Sequence, residues 1–211
     1  MKDLEKYKIV LWDFDGVIMD SMPIRDKGFV DTLSVDYPKE QVDNLLEFHR
    51  ANGGLSRYVK FRYFFEKIRN EEVTEEEILE LAQKFSEVML SLLIDEKLLI
   101  EDSVSFIKSN YAKYKFHIVS GSDGKELNKI CQGVGLDKFF ITIEGSPTPK
   151  KQLVENILQQ YGYDKNDCVL IGDSHNDHEA AQFNGISFFG YNNSALRELG
   201  YIDNFTNTTI V

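Results

Sequence analysis

Cysteine is scarce in this chain. Its two copies, Cys131 and Cys168 among 211 residues, lie far apart and lack metal-ligand spacing. Neither a disulfide framework nor a zinc site is expected, and both read as reduced structural thiols. Proline is sparse as well, with four residues, and no Pro-rich linker, low-complexity tract or internal repeat interrupts the sequence. No apolar run reaches the ~20 residues that a membrane-spanning helix needs. The opening MKDLEKYK puts charges where a secretory signal needs an apolar centre. A cytoplasmic location is therefore expected, and the Asn-x-Ser/Thr matches at Asn192, Asn204 and Asn207 read as chance. Positive charge is also in deficit: 24 Lys and Arg against 35 Asp and Glu leave a net charge of −11. A field of that sign repels nucleic acid and anionic membranes, and it confines any small anionic ligand to a local cluster of cations. What remains, 42% hydrophobic with 28% charged, is the composition of a folded chain with room for one full core and a smaller second unit.

Four short apolar runs read as strands: IVLW at 9–12, FHIVS at 116–120, CVLIG at 168–172 and ISFFGY at 186–191. Helical patterns separate the later ones. DGKELNKICQGVGL starts at a cap on Ser122 or Asp123, KKQLVENILQQYG stops at Gly162, and DHEAAQFNG ends at Gly185. Alternation of this kind implies right-handed crossovers and a parallel sheet covered on both faces. Residues 22 to about 99 break it, with helical patterns and no strand. There LSRYVKFRYFFEKIRN places Tyr58, Phe61, Phe65 and Ile68 on one stripe, and TEEEILELAQKFSEVML opens on a Thr-x-x-Glu cap signature. LLIEDSVSFIKSNY reads as the helix that returns to the second strand.

The chemistry-bearing residues fall at strand ends. IVLW runs into Asp13 and Asp15, whose alternation aims both carboxylates to one side and Phe14 to the other. Two like charges so close are costly unless a cation neutralises them or one keeps its proton. Ser120 follows the second strand in VSGS, Asp173 and Asp177 follow the third in IGDSHND, and GSPTPKK supplies Lys150 and Lys151 ahead of a helix. The carboxyl ends of parallel strands are where such sheets bind ligands.

In its order of Asp-x-Asp, Ser, Lys and Gly-Asp-x-x-x-Asp, the sequence resembles the haloacid dehalogenase superfamily, in the subgroup of phosphatases and β-phosphoglucomutase-like members with a helical cap after the first strand. The resemblance implies an α/β fold: a doubly wound, Rossmann-like catalytic core from residues 1–16 and 100–211, with an all-helical cap domain over 17–99. It implies a Mg²⁺-dependent phosphohydrolase of a small phosphorylated metabolite, working through an aspartyl-phosphate, as a monomer or homodimer. Asp13 would be the nucleophile and Asp15 the proton carrier. Ser120, with backbone N–H groups around Gly16 and Gly121, would hold the phosphoryl oxygens, and Lys150, favoured over Lys151 on spacing, would bridge nucleophile and phosphate. The metal would take Asp13, Asp173 and the backbone carbonyl of Asp15, with Asp177 orienting the lysine or a metal-bound water. Relatives that have Lys at the place of Ser146 differ here.

Two rival functions remain. GGLSR at 53–57 resembles the cap loop of a phosphomutase, but Arg25 stands where that enzyme has histidine; a silent phospholigand-binding module is the other, while a dehalogenase would lack the second carboxylate at Asp15. In the cap, Arg57 is the candidate reader of the untransferred part of the substrate, followed by Arg25 and Lys60, against the alternative of a solvent-exposed arginine at a helix start. His49 reads as a surface or hydrogen-bonded residue. Arg50, Arg62, Lys67 and Arg69 read as a solvated face, and Tyr58, Phe61, Tyr63, Phe64 and Phe65 as the cap's own core and its seam with the main body.

Overall fold

The computed structural model describes residues 4–205, so the match at Asn207 lies outside the described residues. Six strands form one parallel sheet: β1 (Ile9–Trp12), β2 (Lys115–Asp123), β3 (Thr142–Ser146), β4 (Cys168–Gly172), β5 (Ser187–Tyr191) and β6 (Tyr201–Ile202). Their order is β3-β2-β1-β4-β5-β6, with β1 pairing to β2 on one side and β4 on the other. That reversal of direction around β1 opens a crevice at the carboxyl ends of β1, β2 and β4. Two strands escaped the sequence reading. β3 is an edge strand whose TIEGS is mostly half-buried, and β6 has only two residues, so neither presents an apolar run.

Alternation along the strands builds two cores. Val10, Trp12, Phe116, Ile118, Val169 and Ile171 face α5 (Glu101–Asn110) and α6 (Gly124–Gly133), while Ile9, Leu11, Val119 and Leu170 face α7 (Lys150–Tyr161) and α8 (His175–Asn184). The helix stops behave as the sequence suggests: Gly162 and Gly185 take left-handed φ of 61° and 67° just past α7 and α8. Asp123 is the cap of α6, accepting from the N–H groups of Lys125 and Glu126. No helix among the described residues is long and apolar enough to cross a membrane.

Between β1 and α5 the chain makes α1 (Met22–Leu33), α2 (Lys39–Ala51), α3 (Arg57–Tyr63), a π-helical turn (Phe64–Arg69) and α4 (Glu75–Leu93). The segments entering and leaving this helical insert pair with each other: Asp20 N–H donates to Leu98 O at 2.8 Å and Ile100 N–H to Ile18 O at 2.9 Å. Phe29 lies 5.4 Å from Phe61 and 4.6 Å from Phe85 between ring centroids, and the insert's apolar interior runs on into the core beneath α5 and α6. The single stripe expected over 58–68 is corrected by the π-turn. An extra residue per turn rotates the face, so Phe61, Phe64 and Phe65 are buried while Tyr58 and Ile68 are only partly so. Arg62 and Arg69 do pair with Glu75 and Glu71, as expected of a charged face, although Arg69 also lies over the Tyr37 ring.

The Thr74–Glu77 signature forms a full capping box on α4, the Thr74 Oγ1 accepting from Glu77 N–H at 3.2 Å and the Glu77 carboxylate accepting from Thr74 N–H at 2.8 Å. Thr74→Ala should lower the unfolding free energy by about 1 kcal/mol. Urea titration would show it as a lower midpoint with an unchanged slope; superimposable curves would mean that the box contributes nothing.

Candidate active site

At the end of β1 the chain turns through Asp13, Phe14, Asp15 and Gly16. Phe14 is fully buried in the core, whereas Asp13 and Asp15 both line one cleft over the strand ends. Gly16 has a φ of 77°, and a Cβ there would fall 2.1 Å from an Asp173 carboxylate oxygen, so only glycine fits where β1 and β4 converge.

Lysine and carboxylates interlock at this point. Lys150, the first residue of α7, donates from Nζ to Asp13 Oδ1 at 2.8 Å and to Asp177 Oδ1. Lys151 points away, exposed and 3.4 Å from Glu179, which separates the two neighbours that the sequence alone left open. Asp13 is 3% exposed and Asp177 fully buried. Asp177 also closes the first turn of α8, accepting from Ser174 N–H at 3.0 Å and Ser174 Oγ at 2.6 Å, so it is both a helix-start carboxylate and a lysine partner. Burial, then the charge of Asp177, raise the pKa of Asp13 well above the usual carboxylate range, with Lys150 opposing. The same two causes lift Asp173 to about 7. Burial disfavours the Lys150 ammonium, but Asp13 and Asp177 outweigh it and hold the charge on.

Carboxylate oxygens of Asp13, Asp173 and Asp177 all lie within 4.8 Å of one another. An all-oxygen donor set whose members resist simultaneous ionisation fits a hard divalent cation. The Asp15 carboxylate is not in that group. It accepts instead from Arg25 Nε at 2.6 Å, from Ser122 Oγ at 2.5 Å and from Ser21 Oγ. Burial pushes its pKa up, yet Arg25 and these hydrogen bonds win, and the net shift is downward.

Ser120 is fully buried within β2, three residues before the strand's end, its Oγ accepting from Ser122 N–H at 3.1 Å. The insert reaches the strand ends here: a Cβ on Gly121 would sit 2.4 Å from the Gly54 carbonyl oxygen, so backbone packs on backbone. Arg25, Arg57 and Lys60 then converge on a cavity of ≈ 20 Å³ beside Asp15. Arg57 is 4% exposed, which rules out the solvated helix-start alternative; it pairs bidentately with Glu126 at 2.6 and 2.7 Å. Lys60 donates to Gly53 O at 3.1 Å, and burial, then Arg25, lower its pKa to about 7. His49 corrects its expectation. It is buried on the wall of the same cavity with neither ring nitrogen hydrogen-bonded, and burial, then Lys60 and Arg25, lower its pKa to about 2.

Ser21, Ser122 and Glu126 were missed. Ser21 and Ser122 look like helix-start serines, yet Ser21 makes no capping bond to α1, and β2 runs on far enough to make Ser122 a strand residue two along from Ser120. That spacing was the available signal. Glu126 had none, because a Glu in a first helical turn is ordinary.

A model of the haloacid dehalogenase-like hydrolase family matches residues 7–185. The chain belongs to that family. It is thus a hydrolase, and phosphatases and a mutase are among the proteins it resembles over nearly their whole length. A phosphoglycolate phosphatase of Colwellia psychrerythraea is 24% identical over 204 residues, spanning 90% of this chain and 88% of the relative. Among solved structures, one described as a predicted phosphoglycolate phosphatase from Haemophilus somnus 129PT superposes with a TM-score of 0.77 at 20% identity, covering 96% of both chains. The β-phosphoglucomutase of Clostridium difficile does so with 0.75 at 15% identity, covering 97% of this chain and 94% of that one. At such identities the two structural likenesses establish the fold.

Because the folded pKa of Asp173 lies above its unfolded value of 3.8, the stability it contributes is complete below about pH 4 and is lost as pH rises through about 7. A divalent cation held by the same carboxylates would replace that proton. Added Mg²⁺ should raise Tm by several degrees at pH 8 and far less at pH 5, and Asp173→Asn should abolish the difference. An equal shift at both pH values would sink the assignment.

Proposed function

We propose that this hydrolase is a Mg²⁺-dependent phosphatase of small phosphorylated metabolites, acting through an aspartyl-phosphate on Asp13. The observation that carries the reading is the Lys150 ammonium held between Asp13 and Asp177 at the crevice. A buried carboxylate backed by a fixed cation is suited to approach an anionic phosphorus, which otherwise repels nucleophiles. Asp13, Asp173 and Asp177 would hold the metal, together with the backbone carbonyl of Asp15, and the metal when bound supplies charge to offset the carboxylates and the phosphoryl oxygens.

The chain's own residues divide the remaining work. Asp13 forms the bond to phosphorus as the ester oxygen leaves, and Ser120 with the N–H groups near Gly16 and Gly121 holds the phosphoryl oxygens. Asp15 gives a proton to the leaving alcohol and then takes one from the water that releases phosphate and restores Asp13. As it stands, Asp15 is ionised against Arg25, so it becomes a donor only when substrate draws that arginine off or brings a negative charge close. The helical insert serves as the cap, with the Gly53–Gly54 turn closing over the crevice.

Phosphate release from p-nitrophenyl phosphate should require Mg²⁺ and stop with EDTA. Asp13→Asn should remove it, Lys150→Ala should lower kcat by about 10²–10³, and Lys151→Ala should leave it within about twofold, since an exposed charge is screened. Comparable losses in the two lysine variants, or activity in Asp13→Asn, would overturn the mechanism.

A further inference from the structure

We propose that Glu126 is a specificity-determining residue: its carboxylate is a built-in anion that occupies Arg57 and restricts the enzyme to monophosphate esters whose far end carries no second phosphoryl group. The inference rests on the phosphatase reading above and narrows its substrate class. Arg57 would otherwise be the natural reader of a distal anion, since it enters from the insert onto the cavity beside Asp15. Its paired donors are already spent on Glu126, its Nη1 also meets Ser86 Oγ at 2.6 Å, and its guanidinium lies 4.5 Å over the Phe85 ring. The end-on fork of Nη1 and Nη2 is committed to Glu126 and cannot also take a phosphate bidentately. Glu126 is 2% exposed and takes Arg25 Nη1 as well, at 3.3 Å, so one carboxylate draws on both arginines.

Charge and size agree. Around the cavity Arg25, Arg57 and Lys60 face Asp15 and Glu126, and His49 is neutral. With Lys60 near its midpoint at neutral pH, these groups, counting the Glu126 carboxylate that pairs with Arg57 behind the lining, sum to between zero and one positive charge. A phosphate monoester carries nearly two negative charges. The space of ≈ 20 Å³ accepts one water-sized group. Three polar groups do remain for such a group: Arg25 Nη2 and the His49 ring nitrogens make no hydrogen bond, His49 Nε2 lying 3.6 Å from Asp26 Oδ1, and Lys60 donates to one carbonyl. They suit a hydroxyl. The same arrangement works against phosphomutase chemistry, because a mutase has to hold a phosphoryl group at the far end of its substrate while the near end reacts.

The test uses a matched pair, 3-hydroxypropyl phosphate and propane-1,3-diol bisphosphate, with phosphate release followed in Mg²⁺ for the wild type and Glu126→Gln. The wild type should favour the monophosphate by about tenfold or more in kcat/KM, and Glu126→Gln should move the ratio toward the bisphosphate by at least about tenfold, a difference of about 1.4 kcal/mol, chiefly through KM. A folded Glu126→Gln with an unmoved ratio overturns the proposal, as does a wild type that prefers the bisphosphate; the latter measurement decides alone if the variant does not fold. The phosphatase reading fails separately, and takes the inference with it, if neither ester nor p-nitrophenyl phosphate releases phosphate.

Discussion

The Lys150 ammonium is the charge around which the strand ends are organised. Asp13, just past β1, and Asp177, in the first turn of α8, would repel each other through a poorly hydrated space; the lysine lies between them and donates to both. Its position follows from the start of α7, one residue beyond Pro149, and from the packing of that helix on the face formed by Ile9, Leu11 and Leu170. Because a buried cation and its carboxylates stabilise one another only as a set, removing one member leaves the others as uncompensated charges. Geometry at β1, β4 and α7 is therefore mutually fixed, and the acidic group at the crevice stays one cation short, which is the condition for holding a metal.

A second charge system lies on the insert side and is of a different kind. Arg25 joins the carboxylate of Asp15 to Glu126, and Arg57 joins Glu126 to Ser86 on α4. The insert is thus tied to the main body through buried ions rather than through apolar packing alone.

Much of this was legible in the sequence, for reasons that differ by residue. Asp13, Asp173 and Lys150 follow strands or open helices whose apolar patterns are strong, so their placement at one end of a parallel sheet came from periodicity, and their roles from the family resemblance. The choice between Lys150 and Lys151 was settled only by which residue of the first turn of α7 faces the sheet. β3 was illegible because an edge strand with a half-buried TIEGS has neither alternation nor an apolar run. His49 was misjudged, and the exposed alternative for Arg57 could not be dismissed, for the same reason: burial of a polar residue depends on what an insert packs against, and the pattern within α2 or α3 does not carry that. Glu126 is the extreme case, since its partners stand 101 and 69 residues away.

Asp123 joins two of these features. One carboxylate oxygen starts α6 by accepting from the N–H groups of Lys125 and Glu126, and the other accepts the Tyr58 hydroxyl at 2.7 Å from the insert. Tyr58 and Arg57 are consecutive, so two adjacent side chains of α3 grip the first turn of α6 at Asp123 and Glu126. Any tilt of the insert is felt there as a tug on backbone amides that belong to the main body. The amino end of α6 is in effect a strain gauge for the insert: its amide exchange reports on movement of a neighbour it is not part of.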